Sequence, residues 1–135
     1  MPELPEVETV RRGLALKMTG RYVIQAELRR PDLRRPFPAA LAARLDGARI
    51  GTLSRRGKYI LIELDSDGLL LLHLGMSGRV TAGPAGMPDA PHDHVVLWLD
   101  DGTVIRFNDP RRFGSLDYVR RGEESRHPLL AGLGP

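Results

Sequence analysis

The first six residues, Met1-Pro2-Glu3-Leu4-Pro5-Glu6, set a potential nucleophile beside two acids. Removal of Met1, which a small second residue favours, would leave Pro2 with a free secondary amine. Such an amine is less basic than a lysine and can attack an aldehyde-level carbon to form an iminium, which is Schiff-base covalent catalysis. Glu3 adjoins it and Glu6 follows one helical turn on, so two carboxylates stand by one amine. The same residues also make a good helix start, because proline suits the first turn and acids suit its positive dipole end. Both readings stand on these residues alone.

Four further stretches carry residue types with chemical use. Lys58 follows Arg55-Arg56-Gly57 and precedes Tyr59-Ile60-Leu61-Ile62, and Lys17 is the only other lysine. A lysine at a strand start, just after a glycine, can reach a phosphate or act as an acid. In His73-Leu74-Gly75-Met76-Ser77-Gly78-Arg79, glycines flank a methionine that no apolar period assigns to the core. Met76 on such a tip would suit an apolar wedge between base pairs, although methionine more often fills cores. His92-Asp93-His94 puts two histidines on one strand face, but no third or fourth metal ligand is evident nearby. No metal is expected there; a phosphate-contacting histidine beside a structurally satisfied one is. Asn108-Asp109-Pro110-Arg111-Arg112-Phe113-Gly114 offers a bidentate donor next to a flat apolar plug. That pairing suits filling a gap in a duplex, with Arg111 meeting a base edge and Phe113 stacking. Asp109 also reads as the start of an Asx-turn carrying an ion pair.

The elements that must position these residues fit one domain of 135 residues, large enough for a real core. Hydrophobic content is 41%, and aromatics are scarce at 5%. Net charge is only +3, yet of 20 basic residues all but the two lysines are arginine. Arginine pairs recur at Arg11-Arg12, Arg29-Arg30, Arg34-Arg35, Arg55-Arg56, Arg111-Arg112 and Arg120-Arg121. With a pI near 9.8, they suggest a phosphate-binding face rather than only a solvated basic surface. Cysteine is absent, which excludes disulfides and thiolate metal sites within these residues. No apolar run is long enough to span a bilayer and no signal-peptide core opens the chain, so a cytoplasmic location is expected.

After Pro5, apolar Val7, Val10 and Leu14 recur at helical spacing, with Glu8 and Arg12 paired on the polar side and Gly20 closing the helix. Residues 22–28 alternate as a strand, 29–38 read as a Pro/Arg loop, and 39–45 as a short helix. From residue 48 onward the signal is β, with short apolar runs at 50–55, 59–65 and 69–74, the last two joined by a Ser66-Asp67-Gly68 turn. Residues 83–91 hold three prolines and two glycines and read as a mobile loop. Strands at 95–99 and 104–107 form a hairpin across Asp100-Asp101-Gly102, and 115–119 adds one more. The fold expected is mostly β with flanking helices (α+β), a two-layer antiparallel β-sandwich whose N-terminal helix bears the reactive terminus. The ending Leu130-Ala131-Gly132-Leu133-Gly134-Pro135 reads like a linker, so a longer parent protein is expected.

Taken together these residues resemble the bacterial formamidopyrimidine-DNA glycosylase family, also called MutM. The matching pieces are Pro2-Glu3-Leu4-Pro5-Glu6-Val7-Glu8-Thr9, Arg55-Arg56-Gly57-Lys58-Tyr59, His73-Leu74-Gly75-Met76-Ser77-Gly78, His92-Asp93-His94-Val95 and Asp109-Pro110-Arg111-Arg112-Phe113-Gly114. They stand in the family's order and span nearly the whole chain. The endonuclease VIII branch also begins with proline and glutamate, but it lacks the Gly-Met-Ser-Gly and Pro-Arg-Arg-Phe-Gly pieces.

The resemblance implies base-excision repair of oxidised purines, with Pro2 attacking C1′ of a damaged deoxynucleotide and expelling the base. Glu3 would protonate the sugar ring oxygen, Glu6 would shape the N-terminal site, and Lys58 would assist elimination and hold a phosphate. Such lesions must leave the base stack to be reached. Met76, Arg111 and Phe113 would fill the hole, while His73 and His92 would contact phosphates. The implied partner is duplex DNA carrying oxidised purines or abasic sites, bound by a monomer away from membranes. No cofactor is expected in these residues. Family members continue into a helix-two-turn-helix domain and a four-cysteine zinc finger, so the chain is expected to be the N-terminal catalytic domain, with zinc only in the further part.

Overall fold

A computed structural model describes residues 4–34, 36–66, 68–76, 78–123, 127 and 130. Helix α1 (Leu4–Met18) begins with Pro5 in its first turn, keeps acidic Glu6 near its start and ends with Lys17 in its last turn. Its 3.6-residue period buries Val7, Leu14 and Met18 and leaves Val10 half-buried against the same core. After α1 the chain runs through β1 (Val23–Leu28), α2 (Leu41–Leu45), β2 (Ile50–Arg56), β3 (Tyr59–Leu64) and β4 (Gly68–His73). It continues as β5 (Arg79–Pro84), β6 (Asp93–Leu99), β7 (Thr103–Asn108) and β8 (Ser115–Arg120).

The strands form two four-stranded sheets, ordered β1-β6-β7-β5 and β2-β3-β4-β8, and every pairing is antiparallel. This is the expected sandwich. Ile60, Ile62, Leu64, Leu70, Leu72 and Leu116 of one sheet meet Val95, Leu97, Leu99, Ile105 and Phe107 of the other in a single core. A corner joins the layers, where Tyr22 bridges Arg49 and the Val23 N–H donates to Ala48 O at 2.8 Å. Helix α1 lies on β2 and reaches β3 and β5, while α2 packs on β1 and stacks Arg44 over the Tyr118 ring of β8 at 4.5 Å.

The continuous Leu69-Leu70-Leu71-Leu72 run in β4 is explained by burial on both faces. Leu70 and Leu72 point into the sandwich. Leu69 and Leu71 join Leu61, Val119 and Leu130 in a second apolar cluster on the outer face, so polar alternation is lost.

Two elements differ from the sequence reading. Residues 79–84 form the edge strand β5, so the loop expected from residue 83 starts two residues later than composition suggested. Proline is tolerated at its end because Pro84 needs no donor there, on a sheet edge. Gly68, expected in a turn, already pairs with Leu64 and Arg120 as the first residue of β4. A side chain at that position would run into the Tyr118 ring, about 2.2 Å away, which is why the strand begins on a glycine. Asp67 lies outside the described residues. Among the described residues, no helix is long and apolar enough to cross a membrane.

The placement of α1 makes a direct test. Met18 is 1% exposed and Leu16, on the same helix, is 87% exposed. Met18→Ala should cost about 2–5 kcal/mol of stability, and Leu16→Ala should stay within about 0.5 kcal/mol of the parent. Urea unfolding midpoints of the two variants check this directly.

Candidate functional site

The site is assembled from the start of α1 outward. Glu8, in the second turn, accepts from Arg11 through both carboxylate oxygens, at 2.9 and 2.6 Å. It also accepts from Arg12 Nε at 2.9 Å and from Arg55 Nε at 3.2 Å. Arg11 hydrogen bonds, seconded by those of Arg12 and Arg55, hold the Glu8 carboxyl well below the usual carboxylate range despite partial desolvation. These contacts fasten the helix to the sheet. Arg11 donates to Leu53 O of β2 at 3.0 Å, and Arg55 donates onward to Gly57 O at 2.9 Å. Gly57 immediately precedes Lys58 in the β2–β3 turn. Leu4 stands one helical turn before Glu8, about 6 Å along the axis. The start of α1 and Lys58 are therefore bridged by one carboxylate and one guanidinium. Glu6 is exposed on this first turn, and Pro2 and Glu3 lie outside the described residues.

From Lys58 the site passes across the sheet. Tyr59 pairs in register with His73, and their rings lie 4.8 Å apart. His73 Nδ1 accepts the Gly75 N–H at 3.0 Å, which leaves Nε2 as the protonated nitrogen of a neutral ring. Burial lowers the His73 pKa, and the charges of Arg34 and Lys58 push it the same way. A neutral imidazole that can donate from Nε2 is thus built into the end of β4.

His73 forms one wall of an open cleft of about 620 Å³. Met76, Arg111, Arg112 and Phe113 form the other walls, with Leu33 and Arg34 closing one side. Met76 is 54% exposed and Phe113 44%, so two large apolar side chains face solvent in one cleft. Their loops meet backbone to backbone. Gly75 has φ of +66°, and a Cβ there would lie 2.5 Å from Gly114 N and from Phe113 C. Gly114 is equally constrained, because its Cβ would meet His73 O at 2.6 Å. Only glycine at both positions lets the Met76 tip and the Arg111-Arg112-Phe113 loop sit side by side.

Asp109 shapes that second loop, as the Asx-turn reading anticipated. Its carboxylate accepts the N–H groups of Arg112 at 3.1 Å and of Gly114 at 2.9 Å. Arg112 takes φ of +57° in consequence, a conformation that costs a non-glycine residue about 1–3 kcal/mol and persists only where its surroundings over-determine it. The backbone N–H of the same aspartate donates to His92 O at 3.1 Å. His92 is exposed, with φ of +71°, so both strained residues flank the same loop system. His92 and His94 rings make an edge contact at 5.8 Å. The metal-pair geometry goes no further: among the described residues no three His, Asp or Glu side chains gather for an ion, and the Asp93 carboxylate is spent on Asn108 and Ala90 N. Burial lowers the His94 pKa, assisted by Arg30.

The fold therefore gathers His73, Met76, Arg111 and Phe113 in one cleft, sets Lys58 beside His73, and ties His92 to the adjoining loop. The sequence reading passed over Leu33 and took Arg34 only as one of the arginine pairs of a phosphate-binding face. The Arg34 N–H donates to Gly114 O at 3.1 Å, which draws the Pro/Arg loop onto the cleft rim. The recurrent Arg-Pro composition of residues 29–38 was the available signal.

The model for the formamidopyrimidine-DNA glycosylase N-terminal domain matches residues 1–116. The chain belongs to that family. It is 58% identical to the formamidopyrimidine-DNA glycosylase of Paracoccus denitrificans, covering 100% of this chain and 50% of that protein. With the glycosylase of Dinoroseobacter shibae the identity is 54%, over 100% of this chain and 51% of that protein. The chain thus spans about half the length of the relatives it matches. Among solved structures, Lactococcus lactis formamidopyrimidine-DNA glycosylase bound non-covalently to DNA containing an abasic site superimposes with a TM-score of 0.89 at 32% identity, over 99% of this chain and 51% of that one. A MutM structure with DNA containing carbocyclic 8-oxo-G gives a TM-score of 0.85 at 34% identity, over 95% of this chain and 48% of that one.

Two outcomes follow from the cleft geometry. Gly75→Ala should cost about 2 kcal/mol or more, since a Cβ meets backbone that cannot yield and the φ is left-handed; thermal unfolding of the variant measures it. His73 has a folded pKa below its usual 6.5, so the unfolded chain takes up the proton first as pH falls. Stability contributed by the neutral ring is complete above about 6.5 and drains away below it, down through the folded pKa. His73→Gln should flatten the fall of Tm below pH 6.5; an unchanged profile would contradict the assignment.

Proposed function

We propose that this chain carries the catalytic groups of a bifunctional DNA glycosylase and abasic-site lyase acting on oxidised purines such as 8-oxoguanine and formamidopyrimidines. The Pro2 amine attacks C1′ of the damaged deoxynucleotide. The C1′–N bond breaks and the base departs with its bonding electrons and a proton. Glu3 protonates the ring oxygen as the sugar opens, and loss of the amine proton completes the iminium. The iminium makes the 2′ protons acidic, so β-elimination expels the 3′ phosphate and δ-elimination the 5′ phosphate. Hydrolysis then returns the free amine. Glu6 shapes the start of α1, and Lys58 assists the eliminations and holds a phosphate.

The observation that carries this reading is the cleft in which Met76, Arg111 and Phe113 converge beside His73. An apolar wedge, a guanidinium fork and an aromatic plane together suit the gap left by an extruded nucleotide, with Arg111 facing the orphaned base. His73 donates from Nε2 to a backbone phosphate, and His92 contacts another phosphate. The Glu8–Arg55–Gly57 bridge supports the N-terminal amine and Lys58 acting at one sugar. The Gly-Met-Ser-Gly and Pro-Arg-Arg-Phe-Gly pieces favour purine lesions over the pyrimidines of the endonuclease VIII branch.

Borohydride trapping on a duplex with an abasic site, with intact mass read on the same sample, tests the chemistry. A covalent adduct on chain lacking Met1 is the expected result, and Lys58→Ala should slow its formation about 10²-fold. Absence of an adduct with Met1 removed and DNA in large excess would overturn the reading for these residues acting alone.

A further inference from the structure

The segment between β5 and β6 is proline- and glycine-rich, yet it is held to the sheet at successive residues. Arg106 Nη2 donates to Met87 O at 2.9 Å, and Arg29 Nη1 pairs with Asp89 Oδ2 at 3.0 Å. Asn108 Nδ2 donates twice, to Pro91 O at 2.6 Å and to Asp93 Oδ1 at 2.9 Å. The second Asp93 oxygen accepts the Ala90 N–H at 2.8 Å. Asp93, Arg106 and Asn108 are all buried. A buried amide and carboxylate are expensive to leave unpaired, so these bonds fix the backbone on both sides of His92. His92 itself stands between Pro91 and Asp93 with φ of +71°, and its carbonyl is held by the next residue of the same strand end, Asp109.

We propose that Asn108 is a positioning residue for DNA binding: through Pro91 O and the Asp93 carboxylate it holds His92 in the left-handed conformation from which its imidazole meets a backbone phosphate. This rests on the reading of His92 as a phosphate contact. Asn108 does not face the cleft and touches no reacting atom. Its side-chain amide grips the residues before and after His92 together. Without it the turn keeps the Asp109 N–H on His92 O and the Ala90–Asp93 bonds, but Pro91 O loses its donor and the exposed histidine relaxes towards ordinary backbone angles.

The test is equilibrium binding of the chain to a duplex carrying an abasic-site analogue, across a salt series. The proteins compared are the parent, His92→Ala, Asn108→Ala and the double variant, each with its Tm. His92→Ala should lose about tenfold in affinity and up to about 0.9 from the slope of log K against log salt, the value for one phosphate met by a cation. Asn108→Ala should reproduce both losses, and the double variant should bind no worse than His92→Ala alone. Should Asn108→Ala fail to fold, Asp93→Asn takes its place, since it keeps the shape and removes one acceptor, and the same coupling to His92 is expected. An Asn108→Ala or Asp93→Asn protein with lowered Tm but the parent's affinity and salt slope would overturn the positioning role while leaving His92 a phosphate contact. A His92→Ala protein with parental affinity and slope would overturn the phosphate reading itself, and the proposal with it.

Discussion

The cleft side of this molecule depends on one fully buried carboxylate, that of Asp109. A carboxylate withdrawn from water is tolerable only when hydrogen-bond donors replace its hydration. Here the donors include the backbone N–H groups of Arg112 and Gly114, which cannot be supplied unless the loop folds back tightly. The turn is therefore set by the solvation demand of one charge. That turn puts Arg111 and Phe113 on the rim, forces Arg112 into a left-handed conformation, and brings Gly114 against Gly75 so that Met76 joins them. The same residue's N–H anchors His92. Two loops distant in sequence share one point of support.

Glu8 plays the corresponding part at the other end of the site. An exposed ion pair contributes little, but Glu8 gathers three guanidinium groups, two of which reach on to backbone carbonyls of Leu53 and Gly57. The bonds define the angle at which α1 meets the sheet rather than supplying much stability. This matters for the covalent role proposed for Pro2, because a group just ahead of a helix takes its placement from that helix.

Much of this was legible in residues 1–135 read as a string. Helical spacing of Val7, Val10 and Leu14 and the short β-rich runs led to a helix-fronted antiparallel sandwich, and the five motif stretches led to the family. Strand β5 was hidden because its sequence, Arg79 to Pro84, is half small or turn-forming residues whose strand state comes only from pairing with β7. The anchors of the proline-rich segment after it were equally hidden, because composition reports local preference and the arginine and asparagine that bond it stand on β7. The place of Leu33 and Arg34 on the cleft rim was hidden for the same reason, since it depends on a hydrogen bond from the Arg34 N–H to Gly114 O.

What the sequence determined by itself was chemical inventory: an amine-ready terminus with acids beside it, a lone lysine after a glycine, and an arginine-phenylalanine turn. Those follow from side-chain type and near-neighbour spacing, which are properties of the covalent chain. What only the tertiary structure decided was convergence and environment. His73 is a neutral donor because burial and two cations surround it, and Met76 meets Phe113 because two glycines let backbones touch. Distances between residues remote in the chain, and the solvation that tunes them, exist only once the sheets have packed.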